Sequence, residues 1–309
     1  MNRYLLVDGN NLAMRALHAS WSASTLTNAD GVPTAAVMIY INALAKLIAE
    51  MEPSHIAIAW DGQSVFRRAL LPSYKANRKD APQELRRDDA FGLMQRFTYF
   101  AGIHSHLDPV HEADDLIAAW WWAIEGSGMD TIIIASGDKD LLQLLGINPY
   151  GVPTVAHRFG DPEPWDDNRF AEVNGFEAER WPLVAALTGD VSDNIEGIRG
   201  IGPKKAVKML REHDWNLSEA VAERFPEQLD RIEKNFRLMD LQTHSVVALP
   251  APPLTRLAEY GNPADEQLDR FLAELELVEI RTRYRRNALW TKPVTPGRTL
   301  RPRAAEGRA

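Results

Sequence analysis

Short apolar runs that end at or just before an aspartate constrain this chain more than any other feature. Arg3–Val7, Ser54–Trp60 and Thr131–Ala135 are rich in β-formers, and Ile103–Leu107 is a weaker fourth run. Helical patterns separate them, at Val37–Met51, Asp88–Ala101 and Ala113–Ile124. Strands alternating with helices predict an α/β fold with a mainly parallel, twisted sheet flanked by helices. In open sheets of this kind, sites form beyond the carboxyl ends of the strands. Asp8, Asp61 and Asp138 lie at or just past such ends, so one rim collects carboxylates that are far apart in the chain.

Nine acids fall in five clusters: Asp8; Asp61; Glu112, Asp114 and Asp115 in HEADDL; Asp138 and Asp140 in SGDKD; Asp190 and Asp193 in GDVSDN. Each alone has a structural explanation. Asp8 before Gly9 suits a turn, the HEADDL acids suit a helix dipole, and Asp138 and Asp193 suit caps. Together they exceed it, because a cap uses one acid per helix. Gathered carboxylates cannot all stay charged without cations, and hard divalent ions favour all-oxygen sites. Two ions about 3.5–4 Å apart would use this many oxygens. The chain has no cysteine, which excludes disulfides and thiolate metal sites. Asn10 stands where a haloacid-dehalogenase-type phosphatase needs a second aspartate, which excludes that reading.

The second half changes character after about residue 176, with short helices, sharp turns and helical signal at Pro226–Leu241 and Glu266–Val278. The formal net charge of −8 argues against a nucleic-acid partner, but the distribution does not. From Arg281 onward nine Arg or Lys residues face the single Glu306. From Arg67 to Arg96 eight basic residues face four acids in a connection broken by Pro72 and Pro82, which reads as a lid or arch over the strand ends. Tyr74 beside Lys75 and Arg78 offers a stacking face among phosphate-binding charges. In GIRGIGPKKAVKML, Gly200 and Gly202 allow a tight turn, and Pro203 suits the first turn of a helix. That helix N-terminus, with Lys204, Lys205 and Lys208, is suited to hold a phosphate backbone without reading bases. The N-terminus carries no signal sequence and no run approaches a membrane span, so a soluble, cytoplasmic protein with no membrane partner is expected.

These motifs resemble the 5′-nuclease, or flap endonuclease, family: the N-terminal nuclease of bacterial DNA polymerase I and the free-standing bacteriophage 5′-exonucleases. LLVDGNNLAMRA, WDGQSVFRRALLPSYKANR, EADDLIA, SGDKDLLQL and GDVSDNIEGIRGIGPKKA occur in family order, and the likeness covers roughly residues 4–249. With no polymerase domain following, the phage type is the nearer. The resemblance implies a PIN-like metal-dependent nuclease domain over residues 1–179 with an arch at about 66–100. A helix–three-turn–helix DNA-binding subdomain would follow over 180–290, then a disordered basic tail over 291–309. It implies two magnesium or manganese ions, one held by Asp8, Asp61, Glu112, Asp114 and Asp115, the other by Asp138, Asp140, Asp190 and Asp193. It further implies that Lys75 and Arg78, with Arg15 on the first helix, act at the scissile phosphate. Tyr74, Gly200, Gly202, Lys204, Lys205 and Lys208 would touch DNA, and some members hold a potassium ion at that turn.

The implied activity is 5′-3′ exonuclease and 5′-flap endonuclease cleavage of DNA with a flap, nick or free 5′ end, RNA-primed DNA included, by a monomer. The products would be 5′-phosphate and 3′-hydroxyl ends. Two readings stand against it. A non-catalytic, structure-selective DNA-binding protein would share the basic turn. A toxin-type ribonuclease would share the sheet and acidic rim but lack the arch and the GIGPKK element.

Overall fold

The computed structural model describes residues 2–22, 27–32, 34–77, 84–126, 128, 130–242, 255–256 and 266–286. Its centre is a sheet built from β1 (Arg3–Asp8), β2 (His55–Trp60), β3 (Ser105–Leu107), β4 (Thr131–Ala135), β5 (Gly146–Ile147) and β6 (Pro153–His157). The strand order is β3-β2-β1-β4-β6-β5. β1 pairs in parallel with both β2 and β4, while β5 runs antiparallel to β6. Thr255–Arg256 adds a short antiparallel stretch against the start of β2. The chain winds from β1 outward to β3, then returns to β4 on the other side of β1. β1 and β4 therefore flank the point where the winding reverses, the place where open α/β sheets form their crevices.

Alternation along the strands feeds two cores. Leu5, Val7, Ile56, Ile58 and Ile133 face one layer, made of α1 (Gly9–Ser22), α2 (Ala35–Met51) and α4 (Glu84–Phe100). Leu6, Ala57, Ala59, Ile132 and Ile134 face α5 (Ala113–Ala123), through Leu116, Ile117 and Trp120. Strands buried on both faces explain the unbroken apolar runs in the sequence.

A separate core joins α6 (Asp167–Asn174), α7 (Trp181–Thr188), α8 (Pro203–Arg211), α9 (Leu217–Arg224) and α10 (Leu229–Met239). In α8 the residues Ala206, Val207, Met209 and Leu210 are buried while Lys204, Lys205 and Lys208 are exposed, so the basic face points to solvent. A tight two-strand ladder, Gly189–Asp190 against Ile195–Glu196, carries the last acidic cluster. There Gly189 has φ +73, and a Cβ on it would lie 2.3 Å from the Gly197 nitrogen.

Three expectations need correction. The helical signal over Glu266–Val278 is two helices, Glu266–Glu274 and Val278–Arg285, turned by Glu276 in the left-handed region. Their Leu268, Phe271, Leu272, Ile280 and Tyr284 belong to the first core, packed with α4. Each buried side chain of this size contributes about 1.5–3 kcal/mol, so this segment sits with the sheet and the expected 180–290 unit is split. The second half of the segment expected as an arch, 66–100, packs into the sheet's core instead through Ala90, Met94 and Phe97. The strands β5 and β6 were not expected.

Candidate metal and nucleic-acid site

Asp8 closes β1 and is 5 % exposed. Its Oδ1 accepts from the Asn11 backbone N–H at 2.9 Å, and its Oδ2 from Ser136 Oγ, just past β4, at 2.7 Å. Asp138 follows in the same loop: its backbone N–H donates to Ser136 Oγ at 3.0 Å. Ser136 thus joins the ends of the two strands at the reversal point. Asp61 follows β2, with Oδ1 accepting from the Ala113 N–H at 2.8 Å and Oδ2 from Asn10 Nδ2 at 2.7 Å. One carboxylate thereby ties the start of α5 to the rim, which carries Glu112, Asp114 and Asp115 to the same place.

The electrostatics show how closely these groups meet. Burial, followed by repulsion from Asp61, pushes the Asp8 carboxyl up to about 7, against the hydrogen bonds from Asn11 and Ser136. Burial, then Asp138, Asp8 and Glu112, pushes Asp114 well above the usual carboxylate range. Burial, then Asp138, pushes Asp140 up to about 7, although Trp181 Nε1 donates to its Oδ1 at 2.9 Å. Mutual repulsion of this kind marks a pocket short of positive charge.

The remaining acids already have cations. Arg67, 4 % exposed, donates to both oxygens of Asp115, at 2.7 and 2.8 Å, and to Glu112 Oε2 at 3.0 Å. Lys75 Nζ donates to Glu112 Oε1 and stands 3.9 Å from Asp193 Oδ2. Burial would raise Glu112, but Lys75 and Arg67 outweigh it and hold the carboxyl at about 2. Burial also works against the Lys75 charge, and Glu112 and Asp193 more than offset it. Lys139 Nζ lies 3.0 Å from Asp190 Oδ2, and Ser192 donates twice to Asp190 Oδ1. Burial opposes ionisation of Asp190, but these partners leave it below its ordinary value.

Among the described residues no three His, Asp or Glu side chains stand ready as a ligand set around one point. The chemistry of the donors nonetheless fits hard divalent ions. Asp8, Asp61, Asp114, Asp138 and Asp140 supply only oxygens, and burial, then neighbouring carboxylates, makes three of them resist ionisation.

Other expected residues divide. Tyr74 is a correction: it is 4 % exposed and packs with Ala185, Ile195, Leu238 and Met239, so no ring face is open for stacking. Its hydroxyl lies 2.9 Å from Glu112 Oε2 and 3.0 Å from Asp193 Oδ2. Asp115 is engaged on both oxygens by Arg67 and also accepts from the Glu112 N–H, completing a capping box. Arg15 is exposed, its guanidinium 5.6 Å from the Phe159 ring. Arg78 lies outside the described residues. Gly202 is the extended N-cap of α8, Gly200 has φ +81, and Lys205 Nζ donates to the Gly200 carbonyl at 2.9 Å. Lys204 is exposed, and Lys208 approaches Glu212 at 3.8 Å. From the sequence, Asn10 counted only against a phosphatase and Arg67 only as a basic residue of the expected arch. Asn11, Ser136 and Lys139 were not singled out, although all stand inside the quoted motifs.

Carboxylates crowded at the strand ends beside the winding reversal define an α/β protein with an acidic site. The 5′-3′ exonuclease, N-terminal resolvase-like domain family matches residues 3–161. A 5′-3′ exonuclease of Bacillus subtilis is 33% identical over 242 residues, covering 77% of this chain and 75% of the relative. DNA polymerase I of Bacillus caldotenax is 32% identical over 251 residues, covering 80% of this chain but 28% of the polymerase. The chain therefore belongs to the 5′-3′ exonuclease family, and it spans about a third or less of the length of its DNA polymerase I relatives. A bacteriophage T5 D15 flap endonuclease complex with DNA and metal ions shares the fold, with TM-score 0.64 and 23% identity. That likeness covers 91% of this chain and 99% of the T5 chain. Among the described residues no helix is long and apolar enough to cross a membrane.

Proposed function

We propose that this chain is a structure-specific 5′-nuclease that hydrolyses DNA phosphodiesters with two divalent ions, leaving 5′-phosphate and 3′-hydroxyl ends. The observation that carries the reading is the gathering of Asp8, Asp61, Asp114, Asp138 and Asp140 at adjoining strand and helix ends. Ser136 joins Asp8 to the Asp138 backbone, the Asp140 N–H donates to Asp138, and Asp61 ties down the helix start that carries Asp114, with Lys75 on Glu112 beside them. Support also comes from the family match, and from the T5 relative's having been crystallised with DNA and metal ions.

The pocket acids would hold magnesium or manganese. When bound, the ions supply Lewis acidity that neutralises phosphate charge and acidifies water. Lys75 stays charged beside Glu112 and Asp193 and contributes a donor to the phosphate that enters. Arg15, on the exposed side of α1, and Arg78 are assigned to the same strand. The α8 N-terminus, with Lys204 and Lys208 exposed, grips duplex backbone by charge and amide N–H groups, a mode that reads no bases. A potassium ion at that turn would have to compete with Lys205 for the Gly200 carbonyl. DNA with a 5′ flap, nick or free 5′ end is the substrate class, RNA-primed ends included.

Labelled 5′-flap, nicked and blunt duplexes, incubated across a magnesium titration, test the proposal. Cleavage that requires magnesium and vanishes in Asp8→Asn/Asp138→Asn, with duplex binding retained, is expected. Binding without hydrolysis in the unaltered chain would support the non-catalytic reading instead.

A further inference from the structure

Arg67 is the most heavily engaged cation beside these carboxylates, and it is buried. It donates through two nitrogens to both Asp115 oxygens, through one of these to Glu112 Oε2, and through Nε to the Leu238 carbonyl at 3.0 Å. Asp115 in turn accepts from the Glu112 backbone N–H at 3.0 Å. Glu112 is thus held by main chain and side chain at once, from the same two residues. Leu238 lies in the last turn of α10, so the same guanidinium fastens the helical half of the chain to the carboxylate rim.

We infer that Arg67 and Asp115 form a buried positioning pair that fixes Glu112 and the first turn of α5, and with it Asp114, at the ion pocket, and that Asp115 is the counter-ion of Arg67 and no ion ligand. The inference rests on the ion-binding reading above. A guanidinium fork that satisfies both oxygens of one carboxylate uses its geometry as well as its charge. A lone arginine in a buried site needs a carboxylate partner regardless of any bound ion. Removing Asp115 would release the fork to take Glu112 as its sole carboxylate, against the hold of Lys75 and Tyr74, and would disturb the first turn of α5 that carries Asp114. The fault then belongs to the freed Arg67, not to a missing ligand.

A double-mutant cycle on the full chain, read by manganese titration calorimetry with no DNA present, separates the two roles. Asp115→Ala alone is expected to weaken manganese binding about tenfold or more, as loss of an outer-shell partner does. In the Arg67→Met background the same change is expected to cost less than about threefold, since residues sharing one hydrogen-bond network are coupled and their losses do not add. An equal loss in both backgrounds would make Asp115 a ligand and overturn the assignment. Arg67→Lys keeps the charge but not the fork, and is expected to lower manganese affinity about tenfold. Full function of that variant would reduce Arg67 to a simple counter-charge and would also overturn the inference. Circular dichroism melts check folding, and Arg67→Gln supplies a second background if Arg67→Met does not fold. Asp114→Asn is the control. If Asp114→Asn leaves manganese binding unchanged, the ion-site reading fails. If it abolishes binding while the cycle is additive, only the Arg67 assignment fails.

Discussion

Asp8→Asn should make the ion-free protein more stable at pH 8 and no more stable at pH 4. Burial and the nearby Asp61 raise the Asp8 carboxyl from an ordinary 3.8 to about 7 in the folded chain. Below pH 4 the carboxyl is protonated whether folded or not, and its burial costs nothing extra. As pH rises the unfolded carboxyl ionises while the folded one resists, so the folded state loses stability between about pH 4 and 7 and stays penalised above. A shift of three units corresponds to about 4 kcal/mol. The asparagine keeps the Asn11 bond but turns a donor toward Ser136 Oγ, which now donates to Asp8 Oδ2. Losing that bond costs about 1 kcal/mol. A net gain of about 2–3 kcal/mol at pH 8 would raise Tm by roughly 3–5 °C for a chain of 309 residues. Thermal melts with a chelator, at pH 4 and pH 8, measure it. Magnesium should reverse the order at pH 8, because the wild-type chain gains RT ln(1 + [L]/Kd) and the variant gains less. A variant that is less stable at pH 8 without ions, or that gains equally at both pH values, would refute the argument.

Other outcomes follow from the same geometry. Lys75→Ala should slow 5′-flap cleavage by about 100-fold or more while changing DNA affinity little, as loss of a single charge-stabilising donor does; single-turnover kinetics beside binding isotherms would show it. Lys204→Ala should weaken duplex binding alike for all sequences and lower the salt slope by about 1, measured by fluorescence anisotropy across ionic strength. Gly189→Ala should cost about 3 kcal/mol or more in a denaturant melt, because its Cβ would meet the Gly197 backbone at 2.3 Å and its φ is +73.

The central strands were legible because burial on both faces leaves no polar residue in the run, as in Leu5–Val7 and Ile132–Ala135. β6 was not: PTVAH begins with proline and buries only alternate residues, so its five positions resemble a loop. The rim position of Asp8, Asp61 and Asp138 followed from strand ends alone. The partners of each acid did not, since nothing local says which arginine of the Arg67–Arg68 pair turns inward. Arg67 is buried and Arg68 exposed because one α3 (Val65–Leu70) face meets Asp115 and the end of α10, contacts that are remote in sequence. Tyr74 misled for the same reason. Its basic neighbours suggested a surface, while the core formed by α7 and α10 encloses it. The helix at Glu266–Glu274 was visible, but Val278–Arg285 was not expected as a second helix, and the docking of this segment on α4 depends on packing that no local pattern encodes.

Anomalous diffraction from crystals soaked in manganese tests the central claim most directly. Two peaks are expected within reach of Asp8, Asp61, Asp114, Asp138 and Asp140, with Asp115 still joined to Arg67. Peaks that avoid these carboxylates, or a pocket that takes no manganese at concentrations supporting cleavage, would contradict it.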